Sequence, residues 1–407
     1  MKNVRIIIRI ILGMVFVFSG FVKGIDPMGS AIKFTEYFAI FHMSWLESAA
    51  IVLSITLSTA ELLIGVALVI GLRMRPTAWA ALLFMSFFAV LTLYIAIANP
   101  VTDCGCFGDA LVLTNWQTFY KNIILICLAI FVFYFRNKFI PYSKPANEWF
   151  LLCMFALIGG GISIYCYHHL PIMDFRPYSI GTHIPSKMNI PEGVQTDQYL
   201  TKLLYEKNGV VKEFTIDTYP ANDSTWIFKD SKSELIKKGY TPPIHGFSIT
   251  STNNEDITQK VLSDTSYSFI FISEKVEKVK PELWPEIQKY QHFTVSNNQK
   301  FYILTSSLPD VTDVIKKSHQ LAFDFHYADQ TTLKTIIRSN PGLLVLKDGV
   351  ILGLWHFNDF PQPEYFKGNT LSKILTQYNK SMEWKRIGLL FMGFMTVMVV
   401  LFLKRKS

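Results

Sequence analysis

The stretch DCGCFGD, residues 103–109, decides how the rest of this sequence is read. Two of only five cysteines in 407 residues flank a single glycine. Residues two apart lie at most about 7 Å apart when extended, and a bend at Gly105, the residue type that tolerates one best, brings Cys104 and Cys106 into the disulfide range of about 4.4 to 6.8 Å. As a staple such a ring is poor, because closing a three-residue loop stabilises by only about 1.6 kcal/mol before strain is subtracted. As a redox couple it makes sense, since a strained small ring is easily reduced and its dithiol re-forms it on oxidation. Two competing readings stay open. A metal site would need ligands that the loop, lacking histidine, does not supply, and the cysteines could be inert. Asp103 and Asp109 count against a reactive thiolate, because neighbouring negative charge raises a thiol pKa.

On either side of this loop the chain is apolar. Half of its residues are hydrophobic and 17% are charged. Runs long enough to cross about 30 Å of hydrocarbon lie near residues 4–22, 49–71, 77–98, 117–135, 149–167 and 387–403, which predicts six spans. The first run has basic residues at its start but no small-x-small cleavage site, so it is read as a membrane helix. The net charge of +8 does not point to nucleic acid. RMR at 73–75, RNK at 136–138 and the C-terminal KRKS all abut spans and act as orientation signals, placing both termini inside and the loop at 103–109 outside. Lys385 and Arg386, on the outer side of the last run, weaken that orientation for the sixth span. Thr114 and Gln117 form the sequence pattern of a capping box that opens the fourth span.

In the second span Ser54, Ser58, Glu61 and Gly65 share one helical face, and Gly13, Gly20 and Gly24 make a narrow stripe on the first, so both helices suit close packing. Glu61 lies near mid-span, where an ionisable group costs at least about 2.5 to 3.5 kcal/mol. It is either a proton-linked or ligand-binding carboxylate or a protonated group bonded to serine or backbone inside the bundle. Cys127, Cys153 and Cys166 sit on apolar helices, where a lone cysteine is usually a small hydrophobe; Cys166, near the outer end of its span, is also a candidate resolving thiol. His168 and His169 follow as interfacial residues.

FVFSGFVKGIDP closing the first span, Glu61 with GLRMRP closing the second, and DCGCFGD together resemble the DoxX and MauE group of bacterial redox-associated membrane proteins, over residues of about 1–140. The resemblance implies a four-helix membrane bundle of the bacterial inner membrane, linked to quinone-connected electron transfer or to disulfide formation in partner proteins. It implies that Cys104 and Cys106 are the redox pair, a periplasmic thiol or disulfide protein the partner, and a membrane quinone the acceptor.

Residues 141–169 then form a fifth span, 170–260 a β-rich linker or subdomain, 261–370 an α/β domain, and 385–404 the last span. The outer segment contains no cysteine. YEKNGVVKEFTI reads as a hairpin turning at Asn208-Gly209, and GFSITSTNNEDIT as a second. YSFIFIS (267–273) and FYILTSS (301–307) read as buried strands, DQTTLKTIIRSN (329–340) as a helix, and GLLVLKDGVILGLW (342–355) as two strands joined at Asp348-Gly349. This order resembles the second half of a thioredoxin fold, with Pro341 at the position of that family's cis proline. Where the family carries Cys-x-x-Cys, this chain reads EKVEKVKPELW, so the resemblance implies a peptide-binding surface at Pro341 without the redox chemistry; a rigid turn is the plainer alternative.

The sequence thus favours a membrane bundle with an outward α/β domain, in which Cys104 and Cys106 exchange electrons with a thiol partner and Glu61 serves a membrane acceptor. The alternatives are a non-enzymatic assembly or maturation factor whose cysteine-free domain recruits a partner, and a proton-coupled transporter built on Glu61, for which no internal repeat or broken helix pair is visible.

Overall fold

The computed structural model describes residues 2–374 except 102, 192, 196–197, 208–209, 216–217, 220–222, 224, 238 and 370–371, together with residues 376, 388 and 393. The expected sixth span and the Asn208-Gly209 turn lie outside the described residues.

Helix α1 (Lys2–Ile25) ends in a turn at Asp26, whose carboxylate accepts from Gly29 N at 2.9 Å and caps α2 (Pro27–Ile40). Proline at the first position of α2 loses no helical hydrogen bond. Helix α3 (Ala50–Ile70) stops at Gly71, where φ is +94° and the amides of Gly71 and Leu72 both bond to Ala67 O, a glycine-terminated helix end. Helix α4 (Met74–Ala98) leads to the cysteine loop, and α5 (Asn115–Tyr134) opens with the expected reciprocal Thr114/Gln117 box. Helix α6 (Pro145–His168) is pinned by the buried Glu148, whose carboxylate accepts from the amides of Arg73, Tyr142 and Ser143 at 2.8 to 3.1 Å. Among the described residues, five helices are long and apolar enough to cross a membrane. Their outward faces carry apolar side chains such as Phe87, Val90 and Leu157, as lipid contact requires.

Small residues set the spacing of α1 and α3. A methyl group at Gly20 would lie 2.5 Å from Leu62 N, and one at Gly65 2.5 Å from Val17 N. The stripes predicted from both sequences therefore face each other. Gly24 meets α6 instead, where Ser163 Oγ donates to Gly24 O at 2.8 Å.

After a short helix α7 (Ile184–Met188), the strands β1 (Gln198–Lys207), β2 (Val210–Thr215) and β3 (Ile227–Lys237) form an antiparallel sheet in the order β2-β1-β3. The first hairpin is as expected; β3 was not. GFSITSTNNEDIT does fold back on itself, but as a tight reversal with a single antiparallel bridge, Thr250 to Asp256, flanked by Ile257 N to Ile249 O and Ser251 N to Glu255 O at 2.9 Å, rather than as two paired strands. Thr250 also exchanges both backbone bonds with Tyr327, at 2.8 and 2.7 Å, and the segment leads into α8 (Thr258–Leu262).

The second sheet contains β4 (Ser268–Ser273), β5 (Lys300–Thr305), β6 (Phe325–Tyr327), β7 (Gly342–Lys347) and β8 (Val350–His356), in the order β6-β5-β4-β7-β8. Strands β4, β5 and β6 run parallel to one another, while β7 runs antiparallel to β4 and to β8. Helix α9 (Trp284–Ser296) crosses from β4 to β5, α10 (Pro309–Ser318) leads to β6, and α11 (Gln330–Ile336) precedes β7. Alternation along β4 explains its full burial. Phe269 and Phe271 pack on Trp284, Tyr290 and Phe366, whereas Ile270 and Ile272 face Ile184, Leu333 and Ile336 on the other side, as side chains alternate along a strand. The helix predicted over 329–340 stops at Ile336, and Ile337 is extended (φ −146°, ψ 138°). The residue before Pro341 cannot easily be helical, and the extended segment frees Arg338 for contacts outside its own domain. The Asn340-Pro341 peptide is cis.

Candidate functional site

The loop at 103–110 is held from several sides. Asp103 Oδ1 accepts from Gly105 N at 2.9 Å, Tyr37 Oη donates to Cys104 O at 2.8 Å, and Ser19 Oγ donates to Cys106 O at 2.8 Å. Gly105 has φ +65°, the left-handed bend expected of it, and packs on the Lys33 side chain. The result is a dithiol with the two sulfurs 2.7 Å apart.

The two thiols differ in character. Hydrogen bonding from the Cys106 thiol, joined by Thr118 and by the charge of Lys121, prevails over burial and lowers Cys104 to about 6. Cys106 goes the other way: its hydrogen bond to Cys104 and its burial push it well above the usual thiol value. The negative charge expected from Asp103 and Asp109 is answered by cations. Lys33 Nζ lies 3.2 Å from Asp103, Arg338 Nη2 lies 2.8 Å from Asp109, and Lys121 Nζ stands 4.1 Å from the Phe107 ring centre.

The sulfurs face the bundle. Cys104, Gly105 and Cys106 line an apolar cavity of about 300 Å³ together with Phe34, Tyr37, Phe88 and other α2, α3 and α4 side chains. On its other side Cys106 borders a small hole of about 30 Å³, shared with Glu61, Lys23, Lys121 and Asn122. Glu61 is buried, as its position implied, but its partner is neither serine nor backbone. Ser54 Oγ donates to Pro27 O and Ser58 Oγ to Ile55 O, while the carboxylate is ion-paired with Lys23 of α1.

Above the loop lies a cleft of about 440 Å³ between α2, the loop and the α11–β7 segment. Arg338 crosses it. Its Nε lies 3.1 Å from both Asp26 oxygens, and its Nη2 lies 3.0 Å from Asp26 Oδ2 and 2.8 Å from Asp109 Oδ2. Burial opposes ionisation of Asp26, but Arg338 and Arg176 hold it below the usual carboxylate range. A second tie joins His169 Nδ1 to Asp359 at 2.7 Å, and Asn358 Nδ2 donates to His168 O at 2.8 Å. The α/β domain is thus docked on the cysteine loop.

The structure brings Cys104, Cys106 and Glu61 together around two cavities. Pro341 lines neither of these nor the cleft, although Arg338, three residues earlier, reaches the loop. Cys166 is buried in α6 and lines none of the three. Among the described residues no group of three or more metal-ligating side chains gathers. Sequence reasoning missed Lys23, Tyr37, Lys121 and Arg338. The lysine in FVKGIDP could have been matched to Glu61 as the nearest basic residue within an apolar run, but Arg338 carried no signal.

This architecture defines a class: a helical membrane protein with a loop-borne dithiol at one end of its bundle and an α/β domain docked over it. Residues 1–135 match the family model described as methylamine utilisation protein MauE, and residues 199–238 match that of a domain of unknown function, DUF8463. No curated protein and no solved structure matches the chain.

Proposed function

We propose that this is a membrane thiol–disulfide exchange protein of the MauE type, in which Cys104 and Cys106 pass electrons between a protein thiol or disulfide outside the inner membrane and a quinone within it. The observation that carries the reading is the dithiol itself: two sulfurs 2.7 Å apart on the wall of an apolar cavity of about 300 Å³ inside the bundle. A cavity of that size with aromatic walls suits a flat hydrophobic acceptor, and Glu61 lies beside Cys106 to handle protons. The lowered Cys104 is the nucleophile, because the thiolate is the attacking form. On this reading the termini lie in the cytoplasm and the outer domain in the periplasm, where disulfides persist. We read the outer domain as thioredoxin-like. The support is the order β5-β4-β7-β8 with a parallel β4/β5 pair and an antiparallel β7/β8 hairpin. Residues 274–284, where that fold carries its cysteines, contain none, so the domain's part is to seat a partner near Pro341 over the loop. The description of the matched family points to methylamine utilisation as the setting.

The test is thiol trapping in native membranes, acid-quenched and alkylated with a bulky maleimide, with Cys104→Ser and Cys106→Ser as controls. A mixture of dithiol and disulfide that responds to quinone supply supports the reading; a pair that stays reduced under every condition overturns it. The docking through Arg338 favours a second reading, a passive maturation factor. Under that reading deleting 170–384 abolishes function and Cys104→Ser does not.

A further inference from the structure

Lys23 is placed where the three cavities meet: its side chain lines the outer cleft, the apolar cavity and the small hole beside Cys106. We propose that Lys23 is a positioning residue for disulfide formation, holding the Glu61 carboxylate in place beside Cys106 so that it takes the Cys106 proton as the Cys104–Cys106 bond closes. This rests on the exchange reading above and adds to it a base, a counter-charge and a direction of proton flow.

The geometry motivates each part. Glu61 and Cys106 border one hole of about 30 Å³, room for a water molecule to carry a proton between them. A carboxylate within the bilayer needs a partner to stay charged, and the Lys23 ammonium is ion-paired with it. The groups facing Lys23 are Glu61 from α3, Lys121 from α5 and Cys106 from the loop, while α4 contributes only Phe84, Met85 and Phe88 to the small hole. In the apolar cavity Lys33, Tyr37 and Cys104 share its lining, and across the cleft stand Asp26, Glu36, Asp103, Asp109, Asp174, Arg176, His245, Lys334 and Arg338. Cys106, the thiol held protonated, is the one that needs a base; Cys104 does not.

The chemistry balances with a disulfide as oxidant. The Cys104 thiolate attacks one sulfur of the partner disulfide, forming a mixed disulfide and expelling the first partner thiolate. Cys106 then attacks the Cys104 sulfur. Its proton passes to Glu61, the Cys104–Cys106 bond forms, and the second partner thiolate leaves. The pair loses two electrons and the partner gains them. Glu61 returns its proton towards the cleft bordered by Lys23, and the reverse direction uses the same groups.

The experiment uses purified full-length protein in nanodiscs with Cys127, Cys153 and Cys166 replaced by alanine, and 4,4′-dithiodipyridine as the disulfide. The first thiopyridone released reports attack by Cys104 and the second reports ring closure by Cys106. Lys23→Met is expected to slow the second phase at least tenfold at pH 7 and to flatten its pH profile, with the first phase within threefold of the parent; Lys23→Arg restores the second phase. The Lys23→Met/Glu61→Gln double variant, which leaves no unpaired buried charge, shows the same slow second phase and keeps the test decisive if Lys23→Met alone does not fold. A second phase of parental rate and pH profile in the double variant overturns the proposal. The reaction needs no physiological partner, so a pair that never cycles in native membranes overturns the functional reading and leaves this inference standing.

Discussion

Replacing Arg338 by methionine removes the cation that ties the outer domain to the cysteine loop while keeping an unbranched chain of similar reach. Breaking a buried ion pair from one side costs about 3 to 5 kcal/mol. Here the Arg338 side chain is 7% exposed, but Asp26 is 20% and Asp109 41% exposed. Water can take over much of the Asp109 interaction, reducing its share to that of a surface pair, about 0 to 1 kcal/mol. Asp26 keeps its bond from Gly29 N and the field of Arg176. The remaining loss is about 2 to 3 kcal/mol, which corresponds to roughly 30- to 140-fold in the local opening equilibrium. The readout is hydrogen exchange at the start of α2, with Gly29 as the reporter because its amide bonds to the Asp26 carboxylate. The expected result is exchange faster by that factor in Arg338→Met, with the β4–β7 amides of the outer domain unchanged. The triple variant Arg338→Met/Asp26→Asn/Asp109→Asn, without orphaned charges, should recover part of the loss. If Gly29 exchanges within threefold of the wild-type rate in a folded Arg338→Met protein, the ion cluster does not dock the domain.

Other consequences are checked more simply. Alkylation of Cys104 by iodoacetamide, followed by peptide mass spectrometry, should fall as pH drops through about 6. In Cys106→Ala, which removes the main hydrogen bond to the thiolate, the profile should move to higher pH. Gly65→Ala and Gly20→Ala, which drive a methyl group to 2.5 Å from backbone nitrogen on the facing helix, should destabilise the bundle by at least about 2 to 3 kcal/mol in detergent unfolding followed by circular dichroism. Gly161→Ala, with nothing within 4 Å, should be neutral or slightly stabilising. His356 is held down to about 4 by burial and by His169 and His168. Its folded value lies below the unfolded one, so its stabilising contribution is complete above about 6.5 and is lost as pH falls towards about 4. The melting temperature of the protein should fall across that window, and more shallowly in His356→Gln.

The local code carried much of the fold. Apolar runs, the Thr114/Gln117 box, the Gly105 bend and the Asp348-Gly349 turn were legible because each depends on side-chain type at fixed spacing along one element. The paired glycine stripes of α1 and α3 were legible for the same reason, since a helix face is a sequence periodicity. So was the burial of Glu61, because mid-span depth follows from counting residues.

What escaped the sequence was set by neighbours distant along the chain. The short α2 that lines the apolar cavity and the third strand β3, paired along β1, owe their place to neighbours elsewhere in the chain. The thiol environment was misjudged for the same reason. Read along the chain, Asp103 and Asp109 are the charges nearest the cysteines. In the fold Lys33 and Arg338 lie beside them, and Lys121 stands close by. A side chain's charge is written in the sequence, but the field it exerts falls off with distance in space, and only the tertiary structure sets that distance.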